Sequence, residues 1–203
     1  MPTSTLSLLR LLLASALLLL PLAPRADGFI QTERLHRSRL FSISWEYGIP
    51  VLALRADLVS AGSVGNVDLG LRFGVTKRLS LGVSGTWNSF TQSGTPKSSF
   101  QSLALRGTAH WYFTSTEVQP YVGLFGGGAY LETIQGAGPT QTNWAPVAGG
   151  ELGFLFTVAD GLALILAGRY QMAFATINVN ADPALPTMKW PSWVAIQAGV
   201  GFY

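Results

Sequence analysis

Few residues in this chain can do chemistry, because charged side chains make up only 11% of its 203 residues. Six charges alternate with large apolar residues and therefore share a face with glycine, serine and threonine. Three are acidic and three are basic, which predicts ion pairs in a plugged interior, since charges removed from water need partners. The six residues predicted to pair inside the protein are Glu46, Asp68, Arg72, Arg106, Glu151 and Arg169.

His110 is the candidate catalytic histidine, since the other histidine, His36, precedes the first predicted strand. Nucleophilic catalysis needs a nucleophile and an orienting acid within hydrogen-bond reach of the histidine. His110 is followed by Trp111-Tyr112-Phe113 and has no serine in a recognisable local motif. We therefore predict a structural histidine, no catalytic residue, and no site for a metal or another cofactor.

The stretch from Val67 to Trp87 shows which kind of element carries the charges. Two runs alternate large apolar with small or polar residues, and the short polar turn Thr76–Arg78 joins them. Period-two alternation indicates β-strands with two unlike faces, whereas a helix would scatter both sets around its circumference. Asp68 and Arg72 lie on the polar face. The same hairpin pattern recurs to the C-terminus, which predicts an up-and-down barrel.

The composition indicates which face of the strands points inward. A soluble barrel hides its apolar face, whereas a membrane barrel presents that face to lipid. The charged fraction of 11% is well below the ~25% typical of soluble domains. The polar face is mostly glycine, serine, threonine and alanine, which suits the crowded lumen of a narrow barrel. We therefore predict an all-β, eight-stranded, antiparallel, up-and-down transmembrane β-barrel.

The predicted strands are joined alternately by short turns and long loops. The turns lie on one rim and the loops on the other, an asymmetry typical of outer-membrane barrels. Tilted strands of ~10 residues are long enough to cross the apolar layer. The predicted strands cover approximately residues 41–49, 67–75, 79–90, 101–113, 118–132, 147–157, 162–172 and 193–203.

The hairpin between the sixth and seventh strands has a register that the faces determine. Lipid-facing Phe156 must share a face with Leu164, so a two-residue loop would oppose unlike faces. A three-residue loop, residues 159–161, restores the match and places Gly161 where such loops need a left-handed residue. This register predicts that Glu151 lies directly opposite Arg169 inside the barrel, where opposite charges attract.

The start of the chain is typical of a secretory signal peptide. Arg10 supplies the positive charge, and Leu11 to Leu20 forms an apolar run too short to span a bilayer as a helix. Ala26-Asp27-Gly28 has small residues where signal peptidase needs them. A short membrane anchor is the alternative. The absence of cysteine excludes disulfides, thiolate metal sites and a lipoprotein anchor. The predicted segments are a signal peptide (1–28), a periplasmic lead-in (29–39) and the barrel domain (40–203).

Several motifs, together with the hairpin pattern, occur in an order seen in a known family. They are Pro120-Tyr121-Val122-Gly123, the interior Arg169-Tyr170, and the terminal Gly199-Val200-Gly201-Phe202-Tyr203. Over roughly residues 40–203 the chain resembles the eight-stranded outer-membrane β-barrel proteins, the small OmpA-like and OmpX-like barrels. In that family the barrel-assembly machinery reads a terminal aromatic strand, so the resemblance implies that Phe202 and Tyr203 are the assembly signal. Here Phe202, the penultimate residue, has the lipid-facing register. We expect no peptidoglycan-binding domain after the barrel.

We expect a non-enzymatic protein of the bacterial cell outer membrane with a structural or surface-interaction role and a lumen plugged by side chains. Its expected partners are outer-membrane lipid and lipopolysaccharide, the barrel-assembly machinery, and an unknown extracellular partner that meets the loops. The formal charge of +3 is small, and the chain shows no nucleic-acid-binding module. The alternatives are a lipid A-modifying barrel enzyme that uses His110, a narrow channel, and a soluble periplasmic lipocalin-like barrel.

The predicted signal peptide can be tested by export. Cleavage after Gly28 makes Phe29, or a residue within a few positions of it, the first residue of the mature protein. Mass spectrometry of the protein isolated from outer membranes should find this N-terminus. Recovery of the protein there with Met1 intact would contradict the prediction.

Overall fold

A computed structural model of the chain describes residues 39–51, 62–63, 66–91, 98–135, 140–177 and 188–203. The predicted signal peptide and residues 29–38 of the predicted lead-in lie outside these residues. Eight long strands form one antiparallel sheet. They are β1 (Arg39–Pro50), β2 (Asn66–Gly74), β3 (Leu79–Thr91), β4 (Ser98–Tyr112), β5 (Val118–Gln135), β6 (Gln141–Ala159), β7 (Leu162–Ala173) and β8 (Ser192–Phe202).

The sheet closes on itself because β1 pairs with both β2 and β8. Every other long strand pairs with its neighbours along the chain. Closure matters because hydrocarbon cannot satisfy the hydrogen-bonding groups of an open sheet edge. Short two-residue strands extend the loop rim, where Gly62–Ser63 pairs with the end of β3 and Thr176–Ile177 pairs with Met188–Lys189. The predicted eight-stranded, antiparallel, up-and-down barrel is confirmed.

The outer and inner faces of the barrel differ as predicted. Along β7 and β8, buried and exposed positions alternate residue by residue. Many exposed side chains are large and apolar, among them Leu105, Leu124 and Leu152. The buried side chains include six of the eight charged residues of the long strands. An apolar exterior of this extent marks a surface that contacts something other than water. Within the described residues, no helix is long and apolar enough to cross a membrane.

Aromatic side chains lie near both ends of the apolar exterior. Near the turn rim, the Phe154 and Phe156 rings are stacked with centroids 6.0 Å apart, and Trp111 is exposed on β4. Near the loop rim, the Tyr130 and Trp144 rings meet edge to face at 5.4 Å. Rings in two such belts settle at the level of the lipid headgroups.

The predicted register of the β6–β7 hairpin is confirmed. Phe156 pairs with Leu164, and Glu151 pairs directly with Arg169. The predicted three-residue loop over residues 159–161 is wrong, because Ala159 pairs with Leu162 and the loop contains only Asp160 and Gly161. A register shift between Thr157 and Ala159 keeps like faces opposite each other despite the shorter loop. Gly161 has φ of +81°, a left-handed conformation that glycine adopts without steric cost.

The predicted boundary of the sixth strand is wrong. The sequence predicts a sixth strand that begins at residue 147, whereas β6 begins at Gln141 and β5 extends to Gln135. Thr142 and Asn143 pair with Glu132 and Leu131, so backbone hydrogen bonds continue through this polar segment. Its residues are mostly exposed and polar, because the hairpin extends past the apolar belt.

The free-energy cost of placing a charge on the outer face should depend on its depth in the membrane, which provides a test of the inside-out arrangement. Leu105 is 70% exposed between the two aromatic belts, and Val158 is exposed at the turn rim. We expect Leu105→Arg to destabilise the barrel by about 2–4 kcal/mol and the matched Val158→Arg by about 0–1 kcal/mol, because a charge near the midplane loses its hydration. Urea titration of the barrel in lipid vesicles measures both. Equal, small costs would contradict a lipid-facing exterior.

Candidate functional site: the charged network of the lumen

The six charged residues predicted to face inward all do so, and all are buried. They come from β1, β2, β4, β6 and β7, so strands around the whole barrel point them into one space. Alternation positions each of them, because the neighbouring residue on either side faces outward. Together with His110 they make the charged network, defined as Glu46, Asp68, Arg72, Arg106, His110, Glu151 and Arg169.

Arg169 is the centre of this network. Its Nη2 and Nε donate to Glu151 Oε2 at 2.7 and 3.0 Å, and its Nη1 donates to Asp68 Oδ2 at 3.0 Å. Nη1 also donates to Glu46, and Nη2 donates to Gln197 Oε1 at 3.1 Å. These acceptors lie on β1, β2, β6 and β8. One guanidinium therefore links the first and last strands of the barrel to each other.

Arg106 makes the second junction. It forms an ion pair with Asp68, donates from Nη1 to Gln171 Oε1 at 2.7 Å, and donates from Nε to Ser84 Oγ at 3.2 Å. The Phe125 ring lies near both arginines, with its centroid 4.6 Å from the Arg106 Cζ and 5.4 Å from the Arg169 Cζ. Cation–π contact with the ring stabilises two like charges that would otherwise repel each other.

Glu151 carries the turn-side part of the network. Besides Arg169, it contacts His110, with Nε2 and Oε1 2.6 Å apart, and Arg72, with Nη2 and Oε1 3.4 Å apart. Gly123 lies opposite both in the sheet, and a Cβ atom there would come within 2.7 Å of Glu151 Cγ and of His110 Cδ2. The glycine in the predicted family motif thus leaves space for the carboxylate–imidazole contact.

Apolar clusters lie on both sides of the charged network. The loop-side cluster includes Leu131 and Val147, and the rings of Phe90, Phe100 and Trp193 meet there with centroids 5.7 to 6.3 Å apart. The turn-side cluster includes Leu40, Tyr121, Leu155 and Ile165. The paired charges therefore occupy the middle of a lumen with apolar side chains toward each rim.

His110 has an acid and a serine nearby that sequence motifs did not reveal. Glu151 contacts its ring, and Ser80 lies directly opposite it in the β3–β4 ladder. All three are buried on the lumen face of the sheet, and His110 is 2% exposed. The Ser80 hydroxyl lies 3.5 Å from the Tyr112 hydroxyl. These side chains therefore point into the lumen and away from the lipid-facing surface.

Sequence reasoning missed the neutral members of this site. Gln171 and Gln197 each accept a hydrogen bond from an arginine, and Thr86 donates to Asp68 at 2.9 Å. The alternation of inward and outward positions along each strand could have found them. Gln171 is two residues from Arg169 and so shares its face, and Thr86 lies opposite Asp68 and faces inward with it. Among the described residues, no group of histidines and carboxylates is arranged to hold a metal ion.

The contacts of Arg169 predict which carboxylate depends on it most. In the described part of the chain, Arg169 is the one ion-pair partner of Glu46, whereas Glu151 also contacts His110 and Arg72. We expect Arg169→Met to destabilise the barrel by about 3–5 kcal/mol, because it leaves buried carboxylates unpaired. Adding Glu46→Gln should recover more stability than adding Glu151→Gln.

Urea unfolding of the single and double variants in lipid vesicles measures these differences. Glu46→Gln and Glu151→Gln alone are the controls that complete the two double-mutant cycles. Recovery of equal size with either second substitution would show that Glu46 does not depend on Arg169 more than Glu151 does.

No protein-family model and no curated protein matches this chain. Solved structures do. The crystal structure of Neisserial surface protein A is similar over 81% of this chain and 94% of that chain, with a TM-score of 0.56 and 16% identity. The crystal structure of Ail of Yersinia pestis, in complex with the heparin analogue sucrose octasulfate, is similar over 80% of this chain and 97% of that chain, with a TM-score of 0.46 and 10% identity. The crystal structure of OprG of Pseudomonas aeruginosa is similar over 81% of this chain and 94% of that chain, with a TM-score of 0.45 and 14% identity.

The likeness to Neisserial surface protein A concerns the fold, since the sequences are 16% identical. The predicted location in the bacterial outer membrane agrees with this fold and with the apolar exterior of the barrel. The chain has the fold of the small eight-stranded outer-membrane β-barrels, as the sequence resemblance indicated.

Proposed function

We propose that this chain is a non-enzymatic outer-membrane protein with a structural or surface-interaction role, whose lumen its own side chains close. The observation that carries the proposal is the charged network. Arg169 reaches from β7 to acceptors on β1 and β2, so its guanidinium crosses the lumen. An interior bounded by eight strands is just wide enough for side chains to fill.

The network disfavours a narrow channel. Three carboxylates face three arginines, so the described part of the lumen has no excess of either charge to select and concentrate ions. An ion that crossed this layer would have to displace pairs such as Glu151–Arg169, whose separation is costly in a desolvated interior. The apolar clusters on either side would have to open as well.

The position of His110 disfavours a lipid-modifying enzyme. A histidine that acts on lipid A would have to reach the outer surface, whereas the His110 ring lies in the lumen against Glu151. It also packs edge to face on Tyr121 with centroids 5.4 Å apart. These contacts favour a structural role, in which the imidazole satisfies one carboxylate oxygen of Glu151.

The outer face and the last strand suggest the partners. Exposed leucines and aromatic belts suit contact with outer-membrane lipid and lipopolysaccharide. Phe202 closes the barrel opposite Phe41 and Leu162, and Tyr203 donates its backbone N–H to Gly161 O at 3.1 Å. We assign Phe202 and Tyr203 the assembly signal that the family resemblance implies. The segments assigned to an extracellular partner are the loops, most of which lie outside the described residues.

Planar-bilayer recording tests the closed lumen. We expect the wild-type protein to show no discrete conductance steps, because paired charges and apolar clusters fill its lumen. An open porin reconstituted in the same bilayers is the positive control. Mass spectrometry of lipid A from cells producing wild-type protein or His110→Gln should show the same acylation. Regular conductance steps, or an acylation change that His110→Gln abolishes, would refute the proposal.

A further inference from the structure

Charges at the turn rim of the barrel are distributed unevenly. Arg39 begins β1, and Lys77 and Arg78 lie in the turn between β2 and β3, so one run of three neighbouring strands carries three exposed cations. The other two turns of this rim each carry an exposed acid, Glu117 between β4 and β5 and Asp160 between β6 and β7. Among the described residues, one side of the rim is therefore basic and the other acidic. The basic patch is defined as Arg39, Lys77 and Arg78.

The basic patch borders the aromatic belt of the outer face. Arg39 is directly opposite Phe73 in the β1–β2 ladder, and Phe73 is 41% exposed. Trp111, also exposed at this rim, pairs with Leu79, the residue that follows Arg78. Because such rings settle at the level of the lipid headgroups, the cations lie close to that level too. A long basic side chain at this depth packs its stem against apolar neighbours and extends its charge into the polar layer.

The turn that carries two of these cations is held in place by hydrogen bonds. The Thr76 hydroxyl accepts the backbone N–H groups of Arg78 and Leu79, with Oγ1 3.2 and 3.0 Å from the two nitrogens. The Arg78 carbonyl accepts the Tyr112 N–H at 2.8 Å, which fixes the turn to β4. The backbone of the turn is thus ordered before a ligand binds, which lowers the entropic cost of binding.

The two arginines of the basic patch can accept an anionic partner. Among the described residues, neither Arg39 nor Arg78 forms an ion pair, whereas the three arginines of the lumen all pair with carboxylates. The acids of the rim, Glu117 and Asp160, lie in other turns. A guanidinium stays charged at physiological pH and presents a planar fork of donors that matches a phosphate group.

We propose that the basic patch binds the phosphate group of an anionic phospholipid in the periplasmic leaflet of the outer membrane. The short turns of outer-membrane barrels face the periplasm, so this rim meets that leaflet. A zwitterionic lipid carries its own ammonium group beside the phosphate, so a patch of cations favours the anionic lipid. The acyl chains of the bound lipid lie along the exposed Phe73 and Val75 side chains. The inference goes beyond the proposed function, since this surface lies outside the charged network and binds lipid whether or not the lumen is closed.

A single cysteine label beside the patch tests this selection, because the chain contains no cysteine of its own. Val75 is 55% exposed next to the patch, and Val158 is 56% exposed on the acidic side of the rim. Val75→Cys and Val158→Cys therefore give matched positions for one fluorophore. The labelled protein, purified from outer membranes, is reconstituted in phosphatidylcholine vesicles with a small fraction of nitroxide-labelled phosphatidylglycerol or nitroxide-labelled phosphatidylcholine. The ratio of quenching by the two nitroxide lipids measures the preference at each position.

At the Val75 position we expect phosphatidylglycerol to associate about fivefold more strongly than phosphatidylcholine. A fivefold change corresponds to about 1 kcal/mol, the contribution of one basic residue near an anionic surface. At the Val158 position we expect no preference for phosphatidylglycerol. High salt should weaken the preference at the Val75 position, because it screens exposed charges.

Arg39→Gln combined with Arg78→Gln should abolish the preference at the Val75 position. Lys189→Gln is the matched control, since it removes a positive charge at the loop rim and should leave that preference unchanged. Equal preference at the Val75 and Val158 positions, or a preference at the Val75 position that survives the double substitution, would overturn the proposal.

Discussion

The requirement that every buried charge finds a partner organises this barrel. Arg169 meets it for three carboxylates at once, and the contacts extend from β7 to β6, β8, β1 and β2. Its partner Glu46 is on the first strand and Gln197 is on the last, so the network forms only when the sheet has closed. Closure is therefore supported twice, by backbone pairing of β1 with β8 and by one side chain that reaches across the same seam.

The lumen is crowded because the paired charged side chains share its narrow space with aromatic rings. Arginine and aromatic side chains need space that a narrow cylinder provides only where the facing residue is small. A Cβ atom at Gly153 would come within 2.8 Å of the Tyr121 ring, and the corresponding atom at Gly149 would overlap Phe125. Gly153 and Gly149 are paired with Tyr121 and Phe125 across the β5–β6 ladder, so small and large residues complement each other there.

Sequence reasoning predicted what depends on neighbouring positions and missed what depends on closure. Period two determined the faces, and parity of the β6–β7 pairing placed Glu151 opposite Arg169. The contacts of Arg169 with Asp68 and Glu46 span 101 and 123 residues, so no local pattern could assign them. The start of β6 at Gln141 was missed because polar residues there face water on both sides, and their strand conformation comes from pairing with β5.

A charged interior also distinguishes the two faces of each strand. The exterior must be apolar to contact lipid, so an apolar interior would make both faces of every strand alike. A register slip of one residue would then exchange equivalent surfaces at little cost, whereas here it would turn residues such as Arg106 and Asp68 toward hydrocarbon. Buried ion pairs often add little net stability compared with apolar packing. Because the charges lie on one face of each strand, they disfavour the alternative register and sidedness of the strands that carry them.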